Sequence, residues 1–159
     1  MSEPAAERAS TQVSTIIRAP RAVVYRACLD PDALARWRVP DTMSGHVQVF
    51  DAREGGAFRM SLTYRDPQQA PGGKTSDDTD TFRGRFLELV PDEKIVEVVE
   101  FESPDPRFAG EMTVTTSLSD TADGTEVTVR CQDLPPGIRP EDNALGTKQA
   151  LRKLATLVE

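Results

Sequence analysis

From Pro140 to about Val158 the chain reads as one long amphipathic helix, and it follows a run of segments that alternate like β-strands. Pro140 suits a first helical position, where its missing N–H leaves nothing unsatisfied. Glu141 and Asp142 then sit at the positive end of the helix dipole. Leu151, Leu154, Ala155 and Val158 recur at helical spacing and make one apolar stripe. At about 1.5 Å of rise per residue such a helix is roughly 28 Å long. A single long helix after consecutive strands has only their sheet against which to bury that stripe. A sheet that curves around one helix can leave a hollow between the two, and that possibility shapes the functional reading.

The strands themselves are legible from period-two alternation. Thr11–Arg18 reads as a first strand. Pro20 opens a short helix to about Leu29, Asp30-Pro31 breaks it, and Pro31–Arg38 forms a second. His46–Asp51 is a strand, followed by a Glu54-Gly55-Gly56 turn that needs positive φ. Ala57–Tyr64 places Phe58, Met60, Leu62 and Tyr64 on one face and Arg59, Ser61 and Thr63 on the other. Arg65–Asp78, with two Pro and two Gly, is a long mobile loop. Asp80–Val90 and Lys94–Glu102 pair across Pro91-Asp92-Glu93. Glu111–Ser119 and Glu126–Gln132 pair across a turn carrying Asp123-Gly124. With no βαβ alternation the sheet is expected to be antiparallel. Residues 1–10 read as a disordered tail and 11–159 as one domain.

Composition removes several classes of function. The net charge of −7 lacks the basic face of a nucleic-acid binder. No apolar run reaches the roughly 20 residues of a membrane span. Met1–Ser10 carries two Glu and no apolar centre, so it does not read as a secretory signal, and a cytoplasmic location is expected. Cys28 and Cys131 are the only cysteines and are expected to be buried and reduced. Neither Cys-x-x-Cys nor His-x-x-x-His spacing occurs, so no metal site is expected. No Walker spacing accompanies Gly55-Gly56 or Gly72-Gly73, and no cofactor is indicated.

Four segments resemble the START-like (SRPBCC, Bet v 1-like helix-grip) superfamily, and within it the heat shock protein 90 ATPase activator homologue-like family. They are Ile17-Arg18-Ala19-Pro20; Pro31-Asp32-Ala33-Leu34-Ala35-Arg36-Trp37; Glu54-Gly55-Gly56-Ala57-Phe58-Arg59-Met60; and the run Gly84 to Val96. Their order and spacing carry the resemblance over most of the chain. It implies an α+β helix-grip fold: a curved antiparallel sheet of six or seven strands wrapped around the C-terminal helix, with two short helices after the first strand. It also implies a cavity able to hold a lipid, polyketide or other apolar molecule, but no single activity, because carriers, cyclases, hydrolases and chaperone regulators share the fold. Two positions depart from the family pattern. Arg38 follows Trp37 where a second aromatic is common, and Thr147 follows Gly146 where a Trp is common. Loss of that indole leaves a gap that neighbours fill or that enlarges the cavity. Gly146 suggests close backbone approach, or room left for a ligand.

The residues expected to line the cavity are Trp37, Phe58, Met60, Leu62, Tyr64, Phe86, Met112, Val114, Thr147 and Leu151. Trp37 is placed to cap the mouth or to anchor the core, and Tyr64 offers a hydroxyl. Catalytic candidates are few. His46, the one imidazole, reads as a surface or edge residue. Of the strand acids Asp51, Glu88, Glu97 and Glu111, any that points inward would have a raised pKa. Otherwise they pair with Arg59, Arg83 or Arg85 across neighbouring strands. Glu111 is the first of these to check. The leading reading is a binder of a hydrophobic small molecule or lipid without a catalytic set. The alternatives are a chaperone ATPase-regulating interaction module, implied by the resemblance alone, and a polyketide cyclase- or hydratase-like enzyme, which needs an ionisable group aimed inward.

Overall fold

In a computed structural model that describes residues 8–66, 68 and 72–159, seven strands form one antiparallel sheet. They are β1 (Thr11–Ile17), β2 (Met43–Phe50), β3 (Ala57–Tyr64), β4 (Thr79–Val90), β5 (Lys94–Phe101), β6 (Met112–Thr121) and β7 (Gly124–Gln132). Spatial order is β1-β7-β6-β5-β4-β3-β2, so β2 to β7 form a meander and β1 adds to its far edge. The sheet curls into a half-barrel, and helices α1 (Arg21–Cys28), α2 (Pro31–Trp37) and α3 (Pro140–Val158) complete an α+β helix-grip fold.

Local chemistry fixes the element ends. The Asp30 carboxylate accepts from Asp32 N and Ala33 N and so caps α2, while Pro31 begins it. Gly55 adopts φ of +80° in its turn. That turn is tied to β4 through Gly55 N to Phe86 O and Phe86 N to Gly56 O, opposite a bulge between Phe86 and Glu88. A second bulge lies between Val47 and Val49. β2 begins at Met43, three residues before the expected start at His46, because α2 packs on it there: a Cβ at Gly45 would meet Ala35 O and Val39 Cγ1, each at 2.8 Å.

The expected long loop is shorter than its sequence suggests. Residues 67 and 69–71 lie outside the described residues, but 72–78 fold back onto the sheet. Lys74 N and Lys74 Nζ both donate to the Asp80 carboxylate, and the Thr75 hydroxyl donates to Glu102 O. Of the expected tail, residues 1–7 lie outside the described residues. Arg8 donates to Ala109 O, and Leu134 N donates to Ala9 O.

The stripe of α3 is buried at Ala150, Leu151 and Leu154. The helix runs close along β1 and against α1 and α2. Its N-terminal half is held by Thr11 Oγ1 to Asn143 Oδ1, and its second half by Arg152 and Lys153, which pair with Asp41. Toward the central strands it stands off, and there the interior is not filled.

Candidate functional site

The space between α3 and strands β4, β5 and β6 is a cavity of about 640 Å³, within the range that holds a drug-sized molecule. Strand alternation decides its walls. On β5 the inward parity is Ile95, Glu97, Val99 and Phe101; on β6 it is Met112, Val114 and Thr116; on β7 it is Val129 and Cys131. From α3 come Asp142, Asn143, Leu145, Gly146, Thr147, Gln149, Ala150 and Leu151, and from α1 and α2 come Cys28, Leu34 and Trp37, with Arg38 directly after α2.

Of the expected liners, Trp37, Leu62, Tyr64, Met112, Val114, Thr147 and Leu151 do face this space. Phe58, Met60 and Phe86 do not. They are buried, but they belong to a filled part of the core, where Phe86 packs on Phe50 and Phe58 at centroid distances of 5.6 and 5.2 Å. The vacancies they fill are made by glycine: a Cβ on Gly84 would meet Phe58 Cζ at 2.6 Å, and one on Gly45 would meet Met60 Cε at 2.9 Å. Trp37 does not cap the mouth either. Its indole is buried, and its N–H donates to Ala27 O across the α1–α2 junction at 3.0 Å. It therefore forms part of the plugged end.

The departures from the family pattern have definite consequences. A Cβ on Gly146 would find only Pro40 Cγ, at 4.0 Å, so no close backbone approach requires glycine there. The Thr147 hydroxyl donates back to Asn143 O within the helix, and the side chain borders the cavity. Position 147 thus faces open space.

Arg38 sends its guanidinium into the cavity, where Nη1 and Nη2 donate to Glu97 Oε1 and Oε2 at 2.9 and 3.1 Å. The Glu97 side chain is 6% exposed and that of Arg38 is 23% exposed. Arg38 also lies 5.6 Å from the Phe82 ring centroid. Burial opposes its charge, but Glu97 outweighs burial and holds the pKa above the usual arginine value. A second pair, Lys74–Asp80 at 2.9 Å, lies among the same liners, with Lys74 Nζ 5.0 Å from the Phe101 ring centroid and 5.6 Å from that of Phe108. Burial, then Asp80 and Asp142, push the Tyr64 phenol up. Burial, reinforced by Glu97, pushes the Cys28 thiol up to about 12, and burial raises Cys131 as well.

Glu111, the acid singled out first, is exposed and pairs with Arg85 on the outer face at 3.1 Å. Asp51 pairs with Arg53, and Glu88 with Lys94, both at the surface. Arg59 and Arg83 pair with Glu102 and Glu100 across strands. Of the four strand acids considered, Glu97 points inward, and both its oxygens are engaged by Arg38. His46 is exposed on the edge strand β2. The residues missed were Arg38, Lys74, Asp80 and Asn143. Arg38 had a readable signal, since a charged residue directly follows the apolar Trp37 where the resemblance implied a second aromatic. The two cysteines are free and buried. Among the described residues no cluster of three or more His, Cys, Asp or Glu is arranged to hold a metal ion. No helix among them is long and apolar enough to cross a membrane.

A family model described as activator of Hsp90 ATPase homolog 1-like protein matches residues 18–159. A crystal structure of a Chromobacterium violaceum protein is 35% identical, with a TM-score of 0.83, covering 94% of this chain and 96% of that one. A Rhodobacter sphaeroides protein shares the fold at 18% identity and a TM-score of 0.75, over 93% of this chain and 90% of that one. An Aeromonas hydrophila protein solved by NMR does so at 18% identity and a TM-score of 0.72, over 94% and 92%. No curated protein matches the chain.

Proposed function

The chain belongs to the activator of Hsp90 ATPase homolog 1-like family, and from that premise we propose that it binds a small amphipathic molecule in the space between α3 and the sheet. The observation that carries this reading is the cavity of about 640 Å³. It is bounded by aliphatic and thioether surface from Leu34, Ile95, Val99, Met112, Val114 and Leu151 and by the Phe82 and Phe101 rings, with a few fixed polar groups among them. Such a mixture suits a guest with an apolar body and a small number of oriented polar atoms. The positions where the family more often has aromatic residues here hold Arg38 and Thr147, which enlarges and polarises the space rather than closing it.

Trp37 borders the cavity and is the one tryptophan in the chain, so its emission reports on the site. Titration with the uncharged probe N-phenyl-1-naphthylamine is expected to quench Trp37 with saturation at one probe per chain. Absence of any saturable change, with the protein folded by circular dichroism, would remove the reading. Stimulation of a chaperone ATPase by the same probe-blind protein would replace it with the interaction-module alternative.

A further inference from the structure

The charged groups bordering the cavity balance. Among the described residues they are Arg38, Lys74 and Arg139 against Asp80, Glu97 and Asp142. The two innermost pairs, Arg38–Glu97 and Lys74–Asp80, are closed on themselves at 2.9 Å. A carboxylate guest would leave water for a lining with no uncompensated positive charge. At Arg38 it would also stand beside Glu97, so part of the attraction it gains from the guanidinium is cancelled. A free organic anion is therefore poorly matched to this interior.

The same pair is well matched to a different head group. A guanidinium has five N–H donors, and the pair with Glu97 uses one on each terminal nitrogen. The remaining donors can serve a guest's carbonyl oxygen. Each Glu97 oxygen that accepts one Arg38 hydrogen bond keeps a second lone pair, which can accept from a guest's O–H or N–H. Arg38 is partly accessible and borders the cavity, so these atoms meet the guest's space. Behind them Phe82 and the aliphatic walls of β5 and β6 receive an apolar body.

We infer that the Arg38–Glu97 pair is a recognition site for an uncharged head group carrying a donor next to an acceptor, such as a carboxamide or a hydroxy-ketone, on an apolar molecule. This inference rests on the binding reading above and adds to it the chemical class of the guest. The pair discriminates by geometry: an acceptor-only head satisfies Arg38 and leaves Glu97 unused, while an anion satisfies Arg38 and confronts Glu97.

The test uses displacement of N-phenyl-1-naphthylamine at pH 8 by three chains of similar length: decanamide, 2-undecanone and decanoate. Decanamide is expected to displace the probe at a concentration at least five-fold below 2-undecanone and at least ten-fold below decanoate. Glu97→Gln is expected to narrow the gap between decanamide and decanoate by several-fold. The double variant Arg38→Met/Glu97→Leu keeps an apolar filling in place of the pair and is expected to equalise decanamide and 2-undecanone while still binding the probe. Equal displacement by all three chains in the wild type, tighter decanoate, or an amide preference that persists in the double variant would each overturn the head-group assignment. Probe binding with displacement by none of the three chains would also overturn it and leave the cavity reading standing. Failure of the probe itself to bind would remove both.

Discussion

Burial sets the ionisation of the cavity thiols. In the folded protein Cys28 stays protonated up to about pH 12, whereas an ordinary thiol ionises near pH 9. Unfolding therefore releases protons between those values. The associated stability is complete below about pH 9 and declines as the pH rises toward 12. Urea denaturation at stepped pH is expected to show this alkaline decline, and Cys28→Ala should make it shallower, the raised Cys131 thiol keeping part of it. In the same experiment, a thiol reagent at pH 8 should find both cysteines unreactive until denaturant unfolds the chain, because the thiolate is the reactive form. The acids teach how much one residue's place could be read. Glu97 shares the parity of Ile95, Val99 and Phe101, so alternation alone sends it inward. Glu111 precedes the inward Met112, so the same rule sends it outward, where Arg85 meets it. What alternation could not disclose was Arg38, because its partner Glu97 is 59 residues away in sequence. Lys74–Asp80 was hidden differently: the segment before β4 reads as loop from its Pro and Gly content, and only its hydrogen bonds to the sheet show it to be ordered.

Among the elements, α3 matters most. Its extent, Pro140–Val158, followed from proline placement, first-turn acids and the apolar stripe. Whether it packs solid did not follow, since the periodicity of a helix says which side is buried and not how far off its neighbour stands. Two substitutions separate helix stability from cavity filling. Gly146 sits mid-helix with open space at its Cβ, so Gly146→Ala is expected to stabilise by about 1 kcal/mol. In thermal unfolding that is a rise of roughly 2–4 °C for a protein of this size. A loss of stability there would show that glycine is needed after all. Thr147→Trp puts an indole where the helix borders the hollow. The Thr147 hydroxyl bonds only within the helix, so little is lost, and the ring enters the cavity. Probe affinity should fall at least ten-fold with no drop in melting temperature. Undiminished probe binding would place the guest elsewhere. The strands were legible with errors of up to three residues, the largest at the start of β2, where contact with α2 extends pairing beyond what His46–Asp51 suggested.

The molecule as a whole divides its concave face into a solid part and a hollow part. Phe50, Phe58, Met60 and Phe86 fill the region where Gly45 and Gly84 withhold side chains. The hollow lies where α3, held by β1, the short helices and the Asp41 pairs, faces the central strands across the cavity. A two-residue repeat assigns a side chain to a face but not to a position along the curl, so Phe58, Met60 and Phe86 could not be separated from Met112 and Val114 by sequence. The account stands on a guest occupying that hollow. Its most direct test is an intermolecular NOE measurement on methyl-labelled protein saturated with N-phenyl-1-naphthylamine. Cross-peaks from the probe to the methyls of Met112, Val114 and Leu151, with none to the outward Ile16 and Leu87, are the predicted result. Contacts confined to outer-face methyls, or none at all in a folded sample, would contradict it.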